Sequence, residues 1–168
     1  VSMRVTTAWA MSITGANRLQ FNEAVAAGHY KCAPVTAERT MRDFDFPDLI
    51  GLAVFARMVR LGLSKRIAAE MACNAVGYVR HNGQDLERVI SALEDDGTVW
   101  TGPYYAKGKD NGRPYINPNS PKAAASIQVN IPQIKKFIIE RCQSLIKQHA
   151  GEADNIQAMF PEGWEKDL

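Results

Sequence analysis

Several features that indicate a membrane, secreted or metal-binding protein are missing from this sequence. No apolar run reaches the roughly 18 residues that a membrane-spanning helix needs, and no signal-peptide pattern opens the sequence. The three cysteines, Cys32, Cys73 and Cys142, are widely spaced and form no CxxC pair. We therefore expect no disulfide framework, no metal site and no cofactor, and we expect a cytoplasmic protein.

Sequence motifs of the common enzyme classes are also missing. The chain has no GxSxG, no P-loop and no HExxH, and its three histidines, His29, His81 and His149, lie far apart. Residues 94–96 form a carboxylate cluster beside Gly97, which we interpret as a solvated helix end. We predict that the protein is not an enzyme.

The sequence does have the composition of an ordinary globular protein, with charge distributed unevenly along it. Its 168 residues are 46% hydrophobic and 23% charged, enough for one sizeable core. Residues 1–42 carry five basic and two acidic side chains, whereas residues 82–168 carry ten basic and twelve acidic ones. A basic amino-terminal segment suits a polyanion, because Lys or Arg beside phosphate releases counterions. A plain solvated surface fits the same bias equally well.

The amino-terminal half shows four helical patterns separated by glycine breaks and one basic loop. Gly15 separates a short first helix from a second one at about residues 17–27. A Pro-containing stretch at about 34–44, dotted with arginines, comes next. Two longer helical patterns follow, the last of them capped by Ser64. Because this is the element order of a winged helix-turn-helix DNA-binding domain, we predict such a domain over residues 1–80.

The second half, residues 81–168, has a different pattern. The predicted elements are a helix over about 85–94, a β-hairpin within 97–118, a strand over 126–131 and an amphipathic helix over about 132–149. The expected fold class is therefore mainly α with small β elements, in which the winged helix-turn-helix domain precedes a helix and hairpin region and a C-terminal dimerisation helix.

The amphipathic helix near the carboxyl end presents one apolar face. The residues of that face are Ile134, Phe137, Ile138, Leu145 and Ile146. This face either covers a second core or pairs with its copy in a homodimer. We expect the homodimer, because two half-sites on DNA require two copies of the DNA-binding domain.

Short motifs in the first half occur in a recognisable order. Thr14-Gly15 stands between the first two helices, and Gly28 follows Gly15 by thirteen residues. The later motifs are Arg42-Asp43-Phe44-Asp45, Asp48-Leu49 and Leu61-Gly62-Leu63-Ser64. In order and spacing, residues 5–76 resemble the DNA-binding domain of the mercury-resistance-regulator (MerR) family of bacterial transcription regulators. The resemblance implies that the second helix enters the major groove and that the wing lies on the flank.

Two departures from the family limit what the resemblance implies. The family's recognition helix usually carries an Arg-Tyr-Tyr run, where this chain has Asn22, Glu23 and Ala24. The base contacts of that triad are therefore not carried over. The metal-sensing members have cysteines near a long dimerisation helix, whereas this chain has only Cys142 in its late helix. Metal sensing is not expected.

Polar and basic side chains in the predicted domain are the candidate DNA contacts. Those of the second helix are Asn17, Arg18, Gln20 and Asn22. Arginine pairs with guanine, and Asn or Gln pairs with adenine, in the major groove. A solvated helix face is the alternative. The candidate contacts to phosphate or the minor groove are Lys31, Arg39 and Arg42, for which an ordinary surface loop is the alternative.

Together these observations predict a sequence-specific, homodimeric DNA-binding protein that regulates transcription and is associated with the nucleoid. One alternative is a DNA-architectural protein, such as a phage excisionase or the small subunit of a DNA-packaging terminase. A third class is a protein-interaction adaptor that no longer binds DNA. The operator, the direction of regulation and any effector are left open by the sequence.

Overall fold

The computed structural model describes residues 2–36, 41–83, 85–105 and 122–167. In these ranges lie six α-helices: α1 (Thr7–Thr14), α2 (Arg18–Ala26), α3 (Phe46–Arg60), α4 (Lys65–Asn82), α5 (Ile131–Gln148) and α6 (Ala153–Met159). The strands are β1 (Val5–Thr6), β2 (Asp43–Phe44), β3 (Leu86–Glu94), β4 (Val99–Tyr105) and β5 (Ala123–Asn130). Helices thus dominate over two small antiparallel sheets. No helix in the described ranges is both long and apolar enough to cross a membrane.

The turn between α1 and α2 lies where the glycine predicted it. Gly15 has a positive φ of 73°, which costs glycine little, and its N–H donates to the Met11 carbonyl at 2.9 Å. Asn17 then begins α2, because its side-chain oxygen accepts a hydrogen bond from the Gln20 N–H at 3.0 Å. Two short helices are therefore joined by a tight turn.

Helix α3 forms the centre of the core. Most of its residues are buried, and its main neighbour is α4. Asp45 and Asp48 form a capping box at its start, each side chain accepting from the other's backbone N–H at 3.1 Å. Gly62, with φ 93°, ends it, and Ser64 caps α4. The prediction of two helices separated by a turn at Leu61–Ser64 is confirmed.

The three-stranded sheet corrects one prediction. Strand order is β4-β3-β5, with both pairs antiparallel, so residues 86–94 form the central strand and not a helix. Apolar spacing fits both structures over so short a run, and the β-branched pair Val89 and Ile90 favours the strand. Gly97, with φ 84°, makes the turn into β4. Residues 106–118 of the predicted β-hairpin fall outside the described residues.

Helix α5 packs into the same core as the amino-terminal helices. It contacts α1, α3 and β3, and Ile134 and Ile138 are 3% and 0% exposed. One continuous core therefore extends across the predicted division at residue 80. The prediction that Ile134 and Ile138 form a seam between two copies is wrong, because this chain's own core covers them. Their neighbours on the predicted face, Phe137, Leu145 and Ile146, are half-buried against that core.

The cysteines also depart from expectation. Cys32, in the segment after α2, is bonded to Cys73 on α4, with the two Cα atoms 5.4 Å apart. The expectation of no disulfide is therefore wrong. The two residues are 41 positions apart, and only the packing of α4 beside α2 brings them together. Cys142 is free and buried, and burial raises the pKa of its thiol to about 12.

Candidate nucleic-acid interface

The outward face of α2 presents the polar residues that the sequence singled out. Arg18 and Asn22 are exposed, and because they are four residues apart they lie on the same side of the helix. Phe21 and Ala24, on the opposite side, are 0% and 1% exposed. Gln20 is half-buried between the two sides. The structure thus brings Arg18 and Asn22 together and places Gln20 at the margin.

Asn17 has a structural role at the start of the helix. Its side-chain oxygen is already engaged with the Gln20 N–H. An amide that reads adenine uses both its oxygen and its nitrogen. Asn17 is exposed, but the cap takes one of the two acceptor positions of its oxygen and restrains how the amide can turn toward a base. Of the four predicted base-reading residues, it fits the role least well.

The helical spacing of the apolar residues over about 17–27 predicts that Leu19 faces inward. It is 67% exposed, so that prediction is wrong. Helix α2 has only nine residues, and Phe21 and Ala24 already fill its contact with the core. Leu19 lies three residues before Asn22, on the same side of the helix. An apolar side chain there resembles those that contact the methyl group of thymine.

Two further cations border α2, and both come from elements distant in sequence. The Lys65 ammonium group, in the first turn of α4, forms an ion pair with the Glu23 carboxylate. Arg60, the last residue of α3, lies beside the turn before α2: a methyl group built on Gly15 would be 3.6 Å from its Nη2 atom. Sequence analysis did not select Arg60, since only the packing of α3 on α1 brings it to this surface.

The segment that follows α2 is held firmly to the core. The N–H groups of His29 and Tyr30 both donate to the Ala24 carbonyl, at 2.9 and 3.1 Å. The Tyr30 ring is 4% exposed and packs edge-on against the ring of Phe21, with centroids 5.0 Å apart. Lys31 comes next and is exposed. Its backbone therefore has a fixed position just beyond the end of α2.

The segment predicted as a wing, at about residues 34–44, is described except for residues 37–40. Strands β1 and β2 pair in register, Val5 with Phe44, and so join the start of the chain to the end of this segment. Arg42 is half-buried, and its guanidinium donates a hydrogen bond to the Pro34 carbonyl. The Arg42 side chain thus joins the two ends of the segment between Pro34 and Arg42. This hydrogen bond uses only part of the hydrogen-bonding capacity of its guanidinium. Arg39 falls outside the described residues.

An ion cluster holds the start of α3 against the end of α4. The Arg80 guanidinium lies 2.7 Å from the Asp45 carboxylate and 2.8 Å from that of Asp48. Burial, aided by the charge of Asp45, raises the pKa of Asp48 to about 6. Burial opposes ionisation of Asp45 too, but hydrogen bonds from Arg80 and Asp48 hold its pKa below the usual value. Asp45, the last residue of the Arg-x-Phe-Asp motif, therefore has a structural role.

Comparison with known proteins adds no functional assignment. No protein-family model matches this chain, and no curated protein matches it. Among the residues that the structure describes, no group of three His, Cys, Asp or Glu side chains is arranged to hold a metal ion. The interpretation therefore depends on the geometry of α2, the segment after it and the cations around both.

Proposed function

We propose that this protein binds double-stranded DNA sequence-specifically and regulates transcription, with α2 in the major groove. The outward face of α2 carries the proposal. Arg18 and Asn22 stand one turn apart on it, and within the described ranges the Arg18 guanidinium has no protein partner. Arginine recognises guanine and asparagine recognises adenine, each by two hydrogen bonds. Phe21 and Ala24 hold the opposite side of the helix in the core, which fixes how these groups are presented.

The charges around α2 support contact with the phosphate backbone. Glu23 is the only acidic residue on α2, and Lys65 neutralises it. Lys31 beyond one end of the helix and Arg60 beside the other are both exposed. Cations that flank a recognition helix fix its register by binding phosphates, without reading sequence themselves. The segment closed by Arg42 then lies on the flank of the site.

Two copies acting at two half-sites remain part of the proposal. One helix of nine residues reaches only a few base pairs, and a second copy doubles the contacts. The buried face of α5 does not supply the contact between copies. Light scattering of the protein alone and bound to its selected DNA measures the stoichiometry. A single copy on a site without two-fold symmetry would contradict this part of the proposal.

The first test is selection of bound duplexes from a random library, followed by affinity measurements by fluorescence anisotropy. We expect Arg18→Ala to weaken binding to the selected site by about 1–3 kcal/mol, with little effect on random DNA. Lys31→Ala should weaken both and reduce the salt dependence. Lys136→Ala is the matched control, because Lys136 is an exposed cation on α5.

Two outcomes would contradict the proposal. One is selection without sequence enrichment. The other is a loss of affinity for Arg18→Ala that is equal on every DNA sequence. Arg18 would then contribute only its charge and would not read a base. Genome-wide mapping of bound DNA then separates the classes of DNA-binding protein: promoters indicate a regulator, whereas phage attachment or packaging sites indicate an architectural protein.

A further inference from the structure

A cleft beside α2 contains groups that the proposed function does not use. It has a volume of about 470 Å³ and lies between the segment after α2 and one side of α4. Its lining includes His29 and Lys31 from the segment and Arg66, Glu70 and Cys73 from α4. Cys73 is the α4 half of the disulfide to Cys32. A sulfur–sulfur bond therefore lies at the wall of an open, charged cleft.

The cleft carries more positive than negative charge. Lys31 is exposed at its edge, between the buried Tyr30 and the disulfide-bonded Cys32. The Arg66 guanidinium is held by the Gly97 carbonyl at 3.0 Å and lies 3.7 Å from the Glu70 carboxylate. The lining thus carries two permanent cations, Lys31 and Arg66, and one carboxylate, Glu70. A small anion is attracted to such a cleft more strongly than a neutral or cationic molecule of the same size.

The surroundings of the disulfide suit exchange with a thiol. Both Cys32 and Cys73 are half-buried, so the bond is not enclosed in the core. The Cys32 backbone N–H donates a hydrogen bond to Cys73 Sγ at 3.1 Å. A donor in that position stabilises the Cys73 thiolate that forms when the second exchange step completes the reduction, as do nearby cations. The proposed function adds a further reason: DNA-binding proteins work in reducing compartments, where disulfides are usually redox-active.

We propose that this cleft is a thiol–disulfide exchange site for an anionic low-molecular-weight thiol. The thiolate attacks Cys73 Sγ, the bond to Cys32 breaks, and Cys32 leaves as a thiolate that takes a proton from water. A second thiolate attacks the sulfur of the bound small molecule and releases Cys73 as a thiolate, which is protonated in turn. Overall, the protein gains two electrons and two protons, and two small thiols become one small disulfide.

Reduction changes how the segment after α2 is held against the rest of the protein. In the oxidised chain the segment is fixed at Tyr30 and again at Cys32, before it reaches Arg42 and strand β2. Once the bond is broken, the covalent link between this segment and α4 is lost, and the non-covalent contacts of Tyr30 and the hydrogen bond from Arg42 to the Pro34 carbonyl are what hold it. The exchange site thereby regulates the freedom of the residues next to the proposed DNA contact Lys31. This consequence rests on the proposed function, whereas the exchange reaction itself does not.

The test compares three small thiols as reductants of the fully oxidised protein. They are 2-mercaptoethanesulfonate, which is anionic, 2-mercaptoethanol, which is neutral, and cysteamine, which is cationic. Samples are alkylated at intervals and the bonded fraction is measured by mass spectrometry, with each reagent at the same thiolate concentration. We expect the anionic reagent to react about threefold to tenfold faster than the neutral one, and the cationic reagent to be slowest.

Charge variants identify the cleft as the cause. Lys31→Gln combined with Arg66→Gln should abolish the preference for the anionic reagent, whereas Lys136→Gln on α5 should leave it unchanged. Equal rates for the three reagents, a preference that survives the double substitution, or failure of the disulfide to form under oxidation would each overturn the proposal. DNA affinity of the oxidised protein is measured in parallel. A lack of DNA binding would count against the proposed function. The reduction rates would still test the exchange site, because they do not depend on DNA.

Discussion

Helices α2 and α5 differ in length and in apolar patterning, and the structure uses them in opposite ways. Helix α5 has 18 residues and a pronounced apolar face, which this chain's own α1, α3 and β3 cover. Helix α2 has nine residues, a weak apolar face and an exposed polar side. The comparison teaches that an apolar stripe shows that a face is buried, but does not show whether the same chain or a second copy buries it.

The largest expected effect is the loss of stability when the disulfide between the segment after α2 and helix α4 is removed. Removing the cross-link with Cys32→Ser and Cys73→Ser together should lower the free energy of unfolding by about 4 kcal/mol, since a loop of this length is freed in the unfolded chain. Urea unfolding with and without reductant measures it. Reductant should not affect the double variant further. An unchanged midpoint for the wild-type sequence on reduction would contradict the prediction.

The second prediction addresses α5 directly. Ile138→Ala should lower the free energy of unfolding by about 2–5 kcal/mol, because Ile138 is completely buried. Leu19→Ala on α2 is the matched control and should change it by less than about 0.5 kcal/mol. Both are measured by urea unfolding at several protein concentrations. A loss at Ile138 that depends on protein concentration would show that α5 is covered by a second copy after all.

The third prediction concerns the joint between α3 and α4, which supports both regions. Because the folded pKa of Asp48 is raised to about 6, its contribution to stability is present below about pH 4 and declines as the pH rises through 6. Asp45, whose pKa is lowered, contributes stability in its ionised form, and this contribution is lost as the pH falls through its folded pKa. Thermal unfolding between pH 4 and 7 should show the decline, and Asp48→Asn should remove it. A thermal unfolding midpoint of the wild-type protein that does not change between pH 4 and 7 would contradict this prediction.

The smallest expected effect separates two asparagines of the α2 region. Asn17→Ala should cost about 1 kcal/mol of stability, because it removes the hydrogen bond that begins the helix. Asn22→Ala should leave stability unchanged and weaken binding to the selected DNA only. Unfolding and anisotropy on the same two variants test both statements. Equal effects of the two substitutions on DNA binding would contradict the distinct roles.

Local signals were sufficient for much of the amino-terminal half. Gly15, Ser64 and the Leu61–Ser64 corner predicted where helices begin and end, because caps and positive-φ glycines act within a few residues. The same kind of reasoning failed over residues 86–94, where a strand was taken for a helix. Apolar spacing over nine residues fits both, and the choice depends on pairing with β4 and β5.

The candidate site was predicted in part for the same reason. The exposure of Arg18 and Asn22 follows from their place on one side of a short helix whose other side carries Phe21. Arg60 and Lys65 could not be assigned, since each reaches α2 from another helix. The disulfide was missed because a separation of 41 residues says nothing about distance in space.

What the sequence determined by itself is therefore local: where helices begin and end, and where the chain turns. These depend on hydrogen bonds and dihedral angles within a few residues of each other. Tertiary structure alone decided that α5 covers its own chain, that Cys32 meets Cys73, and that Arg60 and Lys65 stand beside α2. Each of these contacts joins segments far apart in the chain, and which segments meet is set by how the whole core packs.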